Sequence, residues 1–154
     1  MSEVTYQPRG LYFEEFEIGQ KVISAGRTIT ESDIVRFAGL SGDFNQIHTN
    51  AAYAAAGPFQ QRVAHGLLVQ SMATGLAVQT GFIEGTVLAF RELTTKFSLP
   101  VFIGDTIHVS LEIVEKKALA RLGGGQIVMK FRVLNEEDKV VQRGSWVMLV
   151  QGKA

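Results

Sequence analysis

Between Gly66 and Gln79 the chain carries Leu67, Leu68, Val69, Met72, Ala73, Leu76, Ala77 and Val78, which cover nearly the whole circumference of one helix. A helix apolar all round is one buried all round, so the rest of the chain has to supply a cover for it. Ser71 and Gly75 are small and one turn apart, which would let a neighbouring backbone approach closely. The longest largely apolar run, Val63 to Val78, is interrupted by His65, Gln70, Ser71 and Thr74. It is too short and too polar to span a bilayer, so it reads as a core element.

The cover is legible downstream. Leu93, Thr95, Phe97 and Leu99 alternate with Glu92, Thr94, Lys96 and Ser98. Ile107, Val109, Leu111 and Ile113 alternate with Thr106, His108, Ser110 and Glu112, the cleanest period of two in the chain. Met129, Phe131 and Val133 alternate with Lys130 and Arg132, and Val140 to Val150 reads as a last strand. Gly104-Asp105, Gly123-Gly124-Gly125 and the segment from Asn135 to Lys139 supply the turns. Strands in hairpin order with one apolar face imply an antiparallel sheet. An α+β fold follows, with a curved antiparallel sheet wrapped around the long helix. No repeat, low-complexity tract or linker divides the chain, and its length of 154 residues suits a single domain over 1–154.

Upstream of the long helix the signals are also helical. Thr30-Glu31-Ser32-Asp33 resembles a capping box, followed by Ile34, Phe37 and Ala38 at helical spacing. Gly39 and Gly42 bracket the stop, so Asp43 is expected on a loop just past a helix end. Asn50 can cap a short helix over Ala51 to Ala56, closed by Gly57-Pro58.

Fifteen basic and fifteen acidic side chains cancel, so no net field favours nucleic acid or a membrane surface. With no cysteine there is neither a disulfide framework nor a thiolate nucleophile. Met1 to Gly10 has no apolar core segment and does not read as a secretion signal; the expected location is cytoplasmic.

The chemistry-bearing residues flank the helix. Asp43 and His48 lie in Ser41-Gly42-Asp43-Phe44-Asn45-Gln46-Ile47-His48, and Ala64-His65-Gly66 follows. On one continuous helix Asp43 and His48 would point about 140° apart, so a loop has to turn them into one pocket. A carboxylate can take a proton from water, an imidazole can relay one, and a free backbone N–H can hold a developing oxyanion. Gly66 opens the helix, where amides are free and no side chain blocks a ligand oxygen. Partial positive charge there disfavours an imidazolium, so His65 reads as a neutral structural partner. Each residue alone also fits a plain role: Asp43 or Asn45 in a turn, His48 at an interface, Gly66 easing packing, and Thr74 bonding back to its own helix. One Asp and one His fall short of a zinc set, and His108, on the polar phase of its strand, reads as solvent-facing and inert.

Phe37-Ala38-Gly39-Leu40-Ser41-Gly42-Asp43-Phe44-Asn45-Gln46-Ile47-His48 resembles the signature of the MaoC-like, R-specific enoyl-CoA hydratases. The resemblance starts at Tyr12-Phe13-Glu14-Glu15-Phe16 and runs through Val63-Ala64-His65-Gly66-Leu67 to Pro100-Val101-Phe102-Ile103-Gly104-Asp105-Thr106. It implies a hot-dog fold, a homodimer with each site near the subunit interface, and reversible hydration of a trans-2-enoyl thioester to the (3R)-hydroxyacyl thioester. It further implies that Asp43 and His48 are catalytic and that the Gly66 amide binds the thioester oxygen. Asn45 supports the loop, His65 stands beside the substrate, and Thr74 falls where some members carry a serine near the acyl pocket. Coenzyme A or an acyl carrier protein would carry the substrate, with no metal and no redox cofactor. Arg62, Arg91, Lys96 and Lys117 are equal candidates for its phosphates. A hot-dog thioesterase and a catalytically silent acyl-thioester binder are the alternatives. The sequence departs from the family at Gln46, where proline is usual, and so loses proline's restriction on the loop.

Overall fold

The strand half of the chain forms one antiparallel sheet in the computed structural model of the protein, which describes residues 2–154. Its strands are β1 (Lys21–Ile23), β2 (Arg27–Thr28), β3 (Val87–Phe97), β4 (Thr106–Leu119), β5 (Gly124–Leu134) and β6 (Val140–Gln151). They run in the order β1-β4-β5-β6-β3, and β2 pairs separately with β4. The helices are α1 (Glu31–Ser41), α2 (Gln46–Thr49), α3 (Ala51–Ala55) and α4 (Gly66–Gln79). None is long and apolar enough to cross a membrane.

The inward phase of the sheet is the one the alternation predicts. Ile107, Val109, Leu111 and Ile113 of β4 face the core with Ile127, Met129, Phe131 and Val133 of β5. They pack in one cluster with Leu68, Val69, Met72, Ala73, Leu76 and Ala77 of α4. On β6, Trp146 is fully buried and stacks on Phe131 with ring centroids 5.0 Å apart. The sheet thus curves around α4 in the hot-dog arrangement.

Two expectations fail for a common reason. Helix α4 is not buried all round: Leu67 is 59% and Val78 41% exposed, and with exposed Ser71 and Gly75 they form one stripe. Strand β3, expected to be half-buried, is exposed along most of its length, including Leu88, Phe90, Leu93 and Phe97. It is the sheet's edge, so nothing among the described residues lies beyond it to cover that side. Burying a Leu or Val side chain is worth about 1.5–3 kcal/mol, and this stripe leaves that gain unrealised within one chain. Gly75, read as a point of close approach, meets no neighbour here.

Strand β6 carries a bulge that positions the site. Val133 pairs with Gln142 and Leu134 with Val140, so Val141 is the extra residue. The inward phase shifts there, and Val141 and Gln142 are both buried.

Candidate active site

Each residue of the site is set by a local device that the sequence encodes. Thr30 caps α1 in a reciprocal box with Asp33. The helix ends because Gly42 adopts a φ of 77°, a left-handed conformation that glycine takes at no steric cost, and its N–H donates to the Ala38 carbonyl at 2.9 Å. The chain therefore leaves α1 at Asp43. Ser41 Oγ accepts from the Asp43 N–H at 3.2 Å, and Asp43 Oδ1 accepts from the Asn45 N–H at 3.2 Å. That is an Asx turn, and it holds the carboxylate at the exposed mouth of a cavity.

The loop expected between Asn45 and Asn50 is mostly helical, because α2 occupies Gln46–Thr49. Gln46 stands at its first position, where proline's missing N–H would cost nothing. Gln46 Oε1 instead accepts from Asn50 Nδ2 at 2.8 Å, a side-chain tie across the single turn. Asn50 also caps α3, which ends one residue short of the expected Ala56.

Helix α2 presents His48, 7% exposed, to the cavity. His48 Nδ1 lies 2.6 Å from the Val63 carbonyl oxygen, which only accepts, so Nδ1 carries the hydrogen and Nε2 keeps a lone pair. The Val63–His65 segment is pinned from both sides. Val63 N donates to the Ile47 carbonyl at 3.1 Å, and Ala64 N donates to the Val101 carbonyl at 2.7 Å.

His65, 3% exposed, donates from Nε2 to the Asp43 carbonyl at 2.9 Å. Its ring stacks on His48 with centroids 3.8 Å apart and planes 26° apart. Its Nδ1 is buried without a partner. Gly66 then opens α4 with its amide among the free N–H groups of the first turn. A Cβ there would lie 2.5 Å from Phe97 Cε1, so the ring occupies the space that a side chain would need.

Asp43, His48, His65 and Gly66 line one cavity of about 670 Å3, whose apolar walls include Val63, Leu67, Phe97, Leu99 and Val101. It is large enough for the reacting end and a short acyl chain of a ligand. Asp43, His48 and His65 are the one metal-compatible group among the described residues, with ligating atoms within 4.8 Å of one another. Their geometry suits a metal poorly: lone pairs lie in the ring planes, and two nearly parallel, stacked imidazoles do not converge on a point about 2 Å from each nitrogen.

The remaining predicted residues stand apart. Asn45 is exposed and takes part through its backbone. Thr74 lies outside the cavity; its Oγ1 donates to the Ser71 carbonyl at 2.7 Å, and it faces a shallow hollow with Phe90 and Leu93. Arg62 is ion-paired with Glu31 at 2.7 Å, and Arg91 donates to Gln126. Sequence reasoning missed the backbone carbonyls of Val63 and Asp43, which no side-chain pattern reveals, and also Phe97 and Gln142. Gln142 was readable as the one polar side chain on the inward phase shared with Trp146, Met148 and Val150.

Comparison with known proteins follows the same residues. The family model described as MaoC like domain matches residues 14–131. The 3-hydroxybutyryl-CoA dehydratase of Methylorubrum extorquens is 38% identical over 152 residues, covering 94% of this chain and 95% of that protein. Protein MaoC of Klebsiella aerogenes is 38% identical over 116 residues, 75% of this chain, which spans only 34% of that longer protein. The unliganded R-hydratase PhaJ1 of Pseudomonas aeruginosa superposes with a TM-score of 0.80 at 33% identity, covering 94% of this chain and 88% of that one. The match embraces α1, the Asp43–His48 turn, α4 and the sheet through most of β5, and on that extent the chain belongs to the MaoC-like dehydratase family.

Proposed function

We propose that the protein adds water reversibly across the double bond of a trans-2-enoyl thioester to give the (3R)-hydroxyacyl thioester. The observation that carries this reading is the convergence of the Asp43 carboxylate, a His48 ring with a free Nε2 and the first amide of α4 on one cavity. Relatives that bear hydratase and dehydratase names support the reaction class.

In this reading the thioester oxygen accepts from the Gly66 N–H. A water bonded to Asp43 and to His48 Nε2 gives one proton to Asp43 while its oxygen attaches to C3. The π electrons move through C2 onto the thioester oxygen, and the proton then returns to C2 through the Asp43–His48 pair. Both hydrogens and the oxygen of one water end in the product, so no cofactor enters the balance. One oxyanion donor is typically worth about 10²–10³-fold and general acid–base help about 10²–10⁴-fold.

The carrier is coenzyme A or an acyl carrier protein. A second copy of the chain is the occupant that fits the exposed stripe of α4 and the adjacent β3 edge, since Leu67, Val78, Leu88, Phe90, Leu93 and Phe97 are exposed there and Leu67 and Phe97 also line the cavity. Chiral analysis of the product from crotonyl-CoA tests the reaction. The expected product is (3R)-hydroxybutyryl-CoA without free thiol; release of thiol would instead identify a thioesterase, and binding without turnover a silent binder.

A further inference from the structure

Gln142 is 2% exposed and lines the same cavity as Asp43 and His48. Its Nε2 donates to the Gly66 carbonyl at 2.8 Å, while its Oε1 is buried without a partner. This is an odd arrangement for stability alone. The carbonyl of the first residue of an α-helix already accepts an intrahelical bond, so the glutamine supplies a second donor to a group that does not need one. A buried unpaired acceptor is destabilising, and an apolar side chain of similar length would avoid that penalty.

Resting on the hydratase reading, we propose that Gln142 is a positioning residue that fixes the Gly66 peptide so that its amide points at the thioester oxygen. Gly66 has no side chain of its own to hold it, and glycine is the residue with the widest backbone freedom. The segment before it is anchored by His65 Nε2 on the Asp43 carbonyl and by Ala64 N on the Val101 carbonyl. Gln142 anchors the following side, so the amide is clamped between two fixed points. Gln142 keeps the inward phase of Trp146, Met148 and Val150, and the bulge beside it sets the adjoining cavity wall, where the Val141 carbonyl accepts from Ser98 N at 2.8 Å and from Leu99 N at 3.3 Å.

The test combines Gln142→Met, which keeps the length and removes the donor, with Gln142→Asn, which keeps the amide but is one methylene too short. The probe is 2,4-hexadienoyl-CoA, whose absorbance moves to the red when its thioester carbonyl is polarised. With crotonyl-CoA both variants are expected to lose about tenfold or more in kcat with KM within about threefold, the signature of misaimed transition-state binding. Both should also lose most of the red shift shown by the wild type, and Gln142→Met should melt no lower than the wild type. A wild-type red shift and kcat retained in Gln142→Met would overturn the proposal, as would failure of both variants to fold, which would make Gln142 a folding residue. Absence of crotonyl-CoA turnover by the wild type would overturn the hydratase reading itself and this inference with it, whereas wild-type turnover without any red shift would overturn this inference alone.

Discussion

His48 and His65 stack face to face at 3.8 Å, yet each ring is tied to a different backbone carbonyl, His48 to Val63 and His65 to Asp43. The two ties fix opposite tautomers. His48 keeps its lone pair on Nε2, and His65 keeps its own on a buried Nδ1. In the proposed mechanism the same type of residue thus serves chemistry at one position and architecture at the other, since His65 bonds the carbonyl of the residue that bears the carboxylate.

His65→Ala is accordingly expected to act on the fold first. It leaves the Asp43 carbonyl short of a donor and removes a stacked ring, at a cost of about 1–3 kcal/mol in urea unfolding. His48→Ala should lose at least about a hundredfold in rate beyond what its own loss of stability explains. Unfolding curves and initial rates on both variants check the division, and the reverse ranking would reassign the two rings.

Gly66→Ala places its Cβ 2.5 Å from Phe97 Cε1, so either the ring or the start of α4 has to move. A fall in kcat of about tenfold or more is expected if the helix moves. Phe97→Ala should then restore part of the loss in the double variant, a coupling that a double-mutant cycle measures directly. Additive losses would mean that the ring is not the obstacle.

Acid should loosen α1 through Asp33. Burial raises the Asp33 carboxyl, but the backbone N–H and hydroxyl of Thr30 and the Arg27 guanidinium outweigh it and hold the group below its ordinary value. Because folding lowers this pKa, the stabilisation is fully present above the unfolded value of about 3.9 and is lost as pH falls through the lower folded value. Asp33→Ala should therefore cost about 1 kcal/mol at pH 7 and progressively less as the pH falls below about 4. Denaturant titrations at a series of pH values read the difference; a constant gap would contradict it.

The exposed stripe predicts association. Sedimentation of the wild type is expected to give a dimer, and Leu93→Lys with Val78→Lys should give a folded monomer with reduced activity. A wild-type monomer at assay concentration would remove the partner from the account.

Much of this was legible in the sequence. The clean alternation from Ile107 to Ile113 became the inward face of β4, and the Thr30 box and Gly42 set the ends of α1, because local periodicity and caps act over a few residues. The apolar circumference of α4 predicts burial all round, but how much cover this chain supplies is a tertiary matter, and Leu67 and Val78 lie outside it. Strands β1 and β2 were missed because they are only three and two residues long and give no period. Helix α2 gives no helical signal in the sequence because four residues carry too little pattern. At the site, Asp43, His48 and Gly66 were visible as side-chain types in a motif. The carbonyls that set the histidine tautomers were not, since every residue has one.

The most direct measurement follows loss of enoyl-thioester absorbance from crotonyl-CoA with wild type and Asp43→Asn side by side, circular dichroism confirming that both are folded. Asp43 is exposed and its Oδ1 bonds only the Asn45 amide, so the substitution should spare the fold. Rapid loss is expected with the wild type and at least about a hundredfold slower loss with the variant. Near-equal rates would contradict this by removing Asp43 from the chemistry.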